Sequence, residues 1–265
     1  MQLRGWDYTG RNVGHDLHIQ YRKMVEALSS PQFVNHRTWG TSIQDDLAKR
    51  IGCASSGAIR TIKKMCEMLG FFGKESLTSR NEIQRATLLT QRGEAMYGIT
   101  CLEEQILKST DLDDSKREAA EKEIKRLYEE IYCESLMHYY YEYDDGTRLS
   151  PLRATLWALN KYGRLDKWEW YLLNTFIRHD DNIEEQNTFE KVLREYRSGK
   201  YELSMANIVE KPKGHQYIPQ YFEYAGLVHV IQRPEWSIGH SQRHDAVKAV
   251  VLSDTFLSDL YGGRL

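Results

Sequence analysis

Hydrolysis of a phosphodiester by a metal-dependent nuclease needs clustered carboxylates and usually a lysine, because metal and cation stabilise charge at phosphorus. Glu123-Ile124-Lys125 has the Glu-x-Lys spacing for this. It lies inside a helical, acidic pattern, however, with no strand and no upstream aspartate to complete a nuclease core. His179-Asp180-Asp181 carries metal-ligating types, but its position between two amphipathic patterns reads as a solvated loop and a helix cap. His240 and His244 have H-x-x-x-H spacing without a glutamate beside the first or a third ligand. There is no G-x-x-x-x-G-K-[ST] phosphate loop and no G-x-S-x-G elbow. The expectation is a binding protein with no catalytic centre, metal or cofactor in this chain.

The charge pattern says what such a protein could bind. The net charge of −2 conceals an asymmetry: residues 1–100 carry 14 Lys and Arg against 9 Asp and Glu, and residues 101–146 carry 6 against 14. Polyanion binding depends on local charge, so the basic first hundred residues admit nucleic acid despite the acidic total. Four scattered cysteines without a C-x-x-C pair fit a reduced intracellular protein better than a disulfide scaffold, and no run is apolar enough for a membrane span or a secretory signal.

Helical periodicity begins at Leu17, Tyr21, Met24, Val25 and Leu28, with Pro31 closing that helix. Thr41 or Ser42 is expected to cap a second helix with the inward stripe Ile43, Leu47 and Ile51. Gly52 supplies a turn, Ser55-Ser56 a cap, and Ile59, Ile62, Cys66 and Leu69 the buried stripe of a third helix. Its other face, with Ser56, Gly57, Arg60, Thr61 and Lys64 and with Lys63 beside it, is small, polar and positive. "LGFF" (69–72) and "ATLLT" (86–90) read as paired strands around a polar loop holding Lys74, Arg80, Asn81, Gln84 and Arg85. Three helices followed by a ribbon is the layout of a winged helix-turn-helix, whose third helix enters the major groove while the wing rides the backbone. Winged helices also serve as protein-binding modules, so that alternative stays open. The leading stretch with Arg4, Arg11, Asn12 and His15 has two readings, a disordered leader or an arm laid along a DNA groove.

Downstream, Ser115 with Glu118 reads as the capping box of an acidic connector helix with the stripe Ile124, Leu127, Tyr128 and Ile131. The Tyr139–Tyr141 cluster reads as core packing. Ser150-Pro151 opens a further helix ended by Gly163, followed by helices near 166–176 and 183–197. A short aromatic helix, then "GLVHVI" as a strand, a turn at Pro234 and "EWSI" as its return, echo the first unit. This predicts a second winged helix whose recognition helix holds His215, Gln216, Tyr217 and Gln220, flanked by Lys211 and Lys213. Residues 245–261 read as a final amphipathic helix. The expected fold is mainly α with small β wings (α+β): an arm over 1–15, winged-helix subdomains over 16–100 and 147–265, and a helical connector over 101–146.

This order of a basic arm, a winged helix ending "LLTQRGEAMYG", an acidic connector, "RLSPLRATLWALNKYGRLDKWEWYLL" and "YFEYAGLV" resembles the DNA-recognition region of type II restriction endonucleases that cut outside an asymmetric site. The resemblance spans about residues 15–260 and rests on hydrophobic and turn patterns rather than on one diagnostic motif. It implies a reader of double-stranded DNA, bound as a monomer, whose parent carries a Mg²⁺-dependent nuclease domain C-terminal to it; the glycine-containing end "DLYGGRL" is compatible with a domain boundary. It further implies base contacts from Arg4, Arg11, Asn12, Ser56, Arg60, Thr61, Lys64, His215, Gln216 and Gln220. Backbone contacts would come from Ser55, Lys63, Lys74, Arg80, Arg85, Lys211 and Lys213. A tandem winged-helix transcription regulator and a protein-binding scaffold are the competing readings.

Overall fold

The computed structural model describes residues 1–7, 11–232 and 248–253. The chain divides into two compact units, Thr9–Ser135 and Met1–Tyr8 with Leu136–Leu265. Both are mainly helical, with the small sheets of the described residues in the second, and no helix among the described residues is long and apolar enough to cross a membrane. Residues 101–135 of the expected connector thus belong to the first unit, and residues 1–8 of the expected arm to the second.

The first unit contains α1 (His15–Leu28), α2 (Pro31–Val34), α3 (Thr41–Ile51), α4 (Ser56–Met68), α5 (Arg85–Leu88), α6 (Gln91–Lys108) and most of α7 (Asp114–Met137). The stripes read from the sequence are the buried ones: Tyr21, Met24, Ile43, Leu47, Ile59, Ile62, Cys66 and Leu69 are all essentially inaccessible. Tyr21 lies at the centre, 5.8 Å from the Phe71 ring and 5.9 Å from Phe72, and donates its hydroxyl to the Gly93 carbonyl at 2.8 Å. Gly52, at φ 75°, ends α3 in the left-handed conformation that glycine adopts without steric cost.

Two caps differ from expectation. Gly40, not Thr41 or Ser42, stands at the N-cap of α3, because the Ser42 hydroxyl accepts instead from Arg37 at 2.9 Å. At α7 the Asp113 carboxylate accepts from the Lys116 amide at 2.9 Å, so the helix begins at Asp114, ahead of the expected Ser115 cap. A carboxylate is the stronger acceptor beside the positive end of the helix dipole.

The strand pair expected over 69–72 and 86–90 is reduced to a single bridge. Phe72 pairs with Leu89 in one antiparallel bridge, flanked by Gly73 N–H to Leu88 O (3.0 Å) and Thr90 N–H to Phe71 O (3.1 Å). Ala86–Leu88, expected as strand, lies in the turn of α5. The ladder stops because Thr90 is already the N-cap of α6, its hydroxyl accepting from Gly93 N–H at 3.0 Å.

In the second unit β1 (Leu3–Arg4) runs parallel to β5 (Ile208–Glu210), and the hairpin β2 (Tyr141–Glu142)–β3 (Arg148–Leu149) is antiparallel. The helices are α8 (Pro151–Tyr162), α9 (Lys167–Phe176), α10 (Ile183–Arg197) and α11 (Gly214–Tyr224). β4 (Leu165–Asp166), β6 (Val228–Gln232) and β7 (Lys248–Leu252) form an antiparallel sheet in the order β4-β7-β6. The start of the chain is therefore neither a disordered leader nor a free arm. Leu3 and Trp6 are fully buried, the Arg4 amide donates to Thr175 Oγ1 (2.9 Å), and the Trp6 amide donates to Asn174 Oδ1 (2.7 Å). Burial of these apolar side chains outweighs the modest charge of the segment. Residues 248–252, expected within a helix, are strand; the apolar run "AVV" fits a buried strand as well as a helix. The expected turn at Pro234, the return strand "EWSI" and residues 245–247 and 254–261 of the expected helix lie outside the described residues.

Two buried ionisable groups give the units opposite responses to acid. His18 stacks on Tyr128 with centroids 4.0 Å apart, and its Nε2 lies 3.2 Å from the Tyr132 hydroxyl. Burial, reinforced by the nearby His15, pulls its pKa down to about 3. Its folded value is below the ordinary 6.5, so its contribution to stability is present above about pH 6.5 and is lost as pH falls from there. Asp166 caps α9, accepting from the Trp168 and Glu169 amides at 2.8 Å, and takes the Tyr196 hydroxyl at 3.1 Å. Burial, then the neighbouring Glu169 charge, raises its pKa to about 7. Its folded value is above the ordinary 3.8, so its stabilising contribution is full below about pH 4 and is lost as pH rises towards 7. Asp166→Asn keeps an acceptor for the cap and removes the titration. Urea midpoints of the variant measured from pH 4 to 7 are expected to lack the wild-type decline contributed by the second unit; an unchanged pH dependence would contradict the assignment.

Candidate nucleic-acid interface

The α3–Gly52–α4 hairpin is what presents side chains outward in the first unit. Ile59, Ile62, Met65 and Cys66 bury one face of α4, which forces Arg60 and Lys64 to the exposed face and leaves Ser56, Gly57, Thr61 and Lys63 partly covered. Arg60 forms no ion pair with any described residue, so its guanidinium keeps its full donor set. Lys63 is different: its ammonium lies 2.6 and 2.8 Å from the two Glu67 oxygens one turn on. Thr61 donates its hydroxyl to the Gly57 carbonyl at 3.0 Å, which leaves its oxygen as an acceptor. Ser55 occupies the N-cap position without a side-chain cap bond and is exposed.

The loop after α4 is ordered by its attachments. Trp39 N–H donates to Thr78 O (2.9 Å), Ile83 N–H to Arg37 O (3.1 Å), and Thr38 bridges Glu82. Leu77 and Ile83 are buried and anchor it to the core. The loop encloses an open recess of about 550 Å³ whose wall includes Lys74, Ser76, Arg80, Asn81 and Gln84. The structure thus brings together two of the cations expected on the wing. A third, Arg85, is turned away from this role: its guanidinium lies 2.6 and 2.8 Å from the two Glu94 oxygens. That bond is the main reason the Glu94 carboxyl is held below its usual range.

In the second unit α11 buries Ile218, Pro219, Tyr221 and Phe222 and exposes Gln216, with Gln220 half-buried one turn further on. Lys213, at its N-cap, is exposed. His215 is half-buried with Nδ1 3.3 Å from the Tyr171 hydroxyl, and Lys211 pairs with Asp7 at 3.2 Å. Both are engaged within the unit. Among the arm residues, Arg4 is 3.8 Å from Glu210 and Arg11 bonds Gln20, while Asn12 is exposed. Arg4 belongs to the second unit and Arg11 and Asn12 to the first, so the three are not one element.

The catalytic candidates resolve into ordinary side-chain pairing. Glu123 accepts from Arg126 (2.9 Å) and Lys125 lies 3.6 Å from Glu129 along α7. His179 Nδ1 lies 2.7 Å from Glu185, and Asp180 accepts from the Ser150 amide at 3.0 Å. No group of three or more His, Cys, Asp or Glu among the described residues could hold a metal. His240 and His244 lie outside the described residues.

Two features escaped the sequence reading. Phe33 of α2 lies under both Arg37 (5.7 Å) and Arg50 (5.3 Å), a stack that periodicity could not reveal because α2 is a single turn. Ser76 also lines the recess, and its hydroxyl is buried without a hydrogen-bond partner among the described residues. Comparison with known proteins adds no relative: no family model, curated protein or solved structure matches the chain.

Proposed function

We propose that this chain is a sequence-specific double-stranded DNA reader, the recognition region of a type II restriction endonuclease that recognises a short asymmetric site. The observation that carries the reading is the α3–Gly52–α4 hairpin with Arg60 exposed on the outer face of its second helix and in no ion pair with a described residue. A helix of this kind reads base edges in the major groove, and an unpaired arginine is the side chain best suited to guanine O6 and N7. The second unit supports it. Helix α11 leads directly into the β6 strand, whose partner β7 is joined on its far side by β4, a strand order consistent with a second winged helix. Gln216 and Gln220 stand on that helix with the amide geometry that pairs with adenine.

Two different reading helices in one chain suit an asymmetric site bound by a monomer. The cleavage domain, with its Mg²⁺, belongs to the parent protein beyond this region, and the expected compartment is the bacterial cytoplasm. The test is titration of a fluorescent duplex with the full chain at fixed, moderate salt, competed first by heparin and then by unlabelled duplex. Binding that resists heparin better than it resists duplex supports the reader. Absence of duplex binding, with binding of protein partners unaffected by polyanion, would favour the scaffold reading.

A further inference from the structure

We propose that the recess beside α4 is a discrete seat for one phosphate of the DNA backbone, held by Lys74, Arg80 and the Ser76 hydroxyl. The inference rests on the DNA-binding reading and adds a defined site to it. Three independent observations meet here. Lys74 and Arg80 both line the recess, both are exposed, and neither is in an ion pair with a described residue. Three basic groups nearby are committed elsewhere: Lys63 to Glu67, Arg85 to Glu94, and Arg37 to Asp46 at 2.7 Å. The loop is also built rather than loose, since its backbone is bonded to residues 37–39 and its apolar side chains Leu77 and Ile83 are buried. Finally, Ser76 is only 7% exposed, and its hydroxyl has no acceptor or donor among the described residues.

A buried hydroxyl without a partner is destabilising, and turning it towards an anionic oxygen seated in the recess would relieve that. Glu75 and Glu82 line the recess too, and Glu82 is bonded to His36 Nδ1 at 2.9 Å. The mixture of charge makes the attraction short-ranged, so an anion gains from the cations only when it is seated between them. That property distinguishes a phosphate seat from a diffuse basic patch. It would fix the register of α4 on the duplex without reading sequence, since phosphate contacts position a protein and base contacts specify the site.

The claim that both cations hold the same phosphate is testable by salt dependence. Each phosphate neutralised contributes about 0.9 to the slope of log K against log salt. The full chain and the variants Lys74→Gln, Arg80→Gln and Lys74→Gln/Arg80→Gln are titrated with one fluorescent duplex over a series of salt concentrations. With Glu75 and Glu82 on the same recess, one cation alone does not hold the anion. Either single substitution is therefore expected to empty the seat and flatten the slope by about 0.9, and the double variant to flatten it by no more than either single one. Ser76→Ala is expected to weaken binding with the slope unchanged, because a neutral donor releases no counterion. These are exposed or small substitutions, and thermal melting verifies that each variant is folded. A slope unaltered in both single variants, or a loss in the double variant twice that of a single one, overturns the single seat while leaving the DNA reader intact. A wild-type chain that binds no duplex overturns both.

Discussion

Gly93→Ala is expected to destabilise the first unit by roughly 2–6 kcal/mol, read as a lower urea midpoint of its unfolding transition. A Cβ at this position would stand 1.9 Å from the Phe71 carbonyl oxygen and 2.9 Å from its carbon. Both are backbone atoms, so no rotamer change relieves the clash, and the start of α6 must move. That movement breaks two bonds made by Gly93 itself: its amide to Thr90 Oγ1 and its carbonyl from the Tyr21 hydroxyl. Overpacking typically costs about 1–3 kcal/mol, and a buried polar group left unpaired costs a further ~1–3 kcal/mol. Gly98 is the control on the same helix. A Cβ there meets nothing within 4 Å, and replacing an exposed helical glycine by alanine typically stabilises by about 0.5–1 kcal/mol. Opposite signs at two glycines five residues apart are the signature; a Gly93→Ala variant as stable as wild type would refute the packing described.

Arg60→Ala combined with Gln216→Ala is expected to reduce discrimination for the target site by roughly 2–6 kcal/mol, from about 1–3 kcal/mol per lost bidentate base contact. Since ~1.4 kcal/mol is tenfold, each single variant weakens binding to the preferred duplex by about 5- to 150-fold, with much less effect on unrelated duplex. Both side chains are exposed, Arg60 on α4 and Gln216 on α11, so neither change removes core packing. Lys63→Ala is the contrast. Its ammonium is held by Glu67, and its removal is expected to alter affinity little. Competition fluorescence with preferred and scrambled duplexes measures all of these. A double variant that retains the wild-type preference would remove both helices from the reading.

The contrast between Arg60 and its neighbours illustrates what the sequence carries. The α3–α4 hairpin was legible because its signals are local: an apolar stripe every third or fourth residue and a glycine at φ 75° between the helices. The same holds for the helix from Pro151 to Tyr162, with Pro151 at its first turn and Gly163 at its end. By contrast, Leu3–Arg4 pairs with residues more than two hundred positions away, and strands of two or three residues have no period to read. The basic start of the chain therefore resembled an arm. Lys248–Leu252 failed for a related reason, since a short apolar run is compatible with either period. At the site, the Lys63–Glu67 pair follows from i, i+4 spacing and was open to inspection. The pairing of Arg85 with Glu94 and of Lys211 with Asp7 depends on tertiary approach and was not. Ser76 looked like one more polar loop residue; its burial comes from the anchoring of Leu77 and Ile83 beside it.

The most direct test of the account is selection of the full chain against a random duplex pool at stated, moderate salt. A DNA reader with two dissimilar helices predicts enrichment of one short asymmetric consensus, lost when Arg60 and Gln216 are both replaced by alanine. A palindromic consensus would point to a dimeric regulator, and a pool that emerges unenriched would contradict the proposed function.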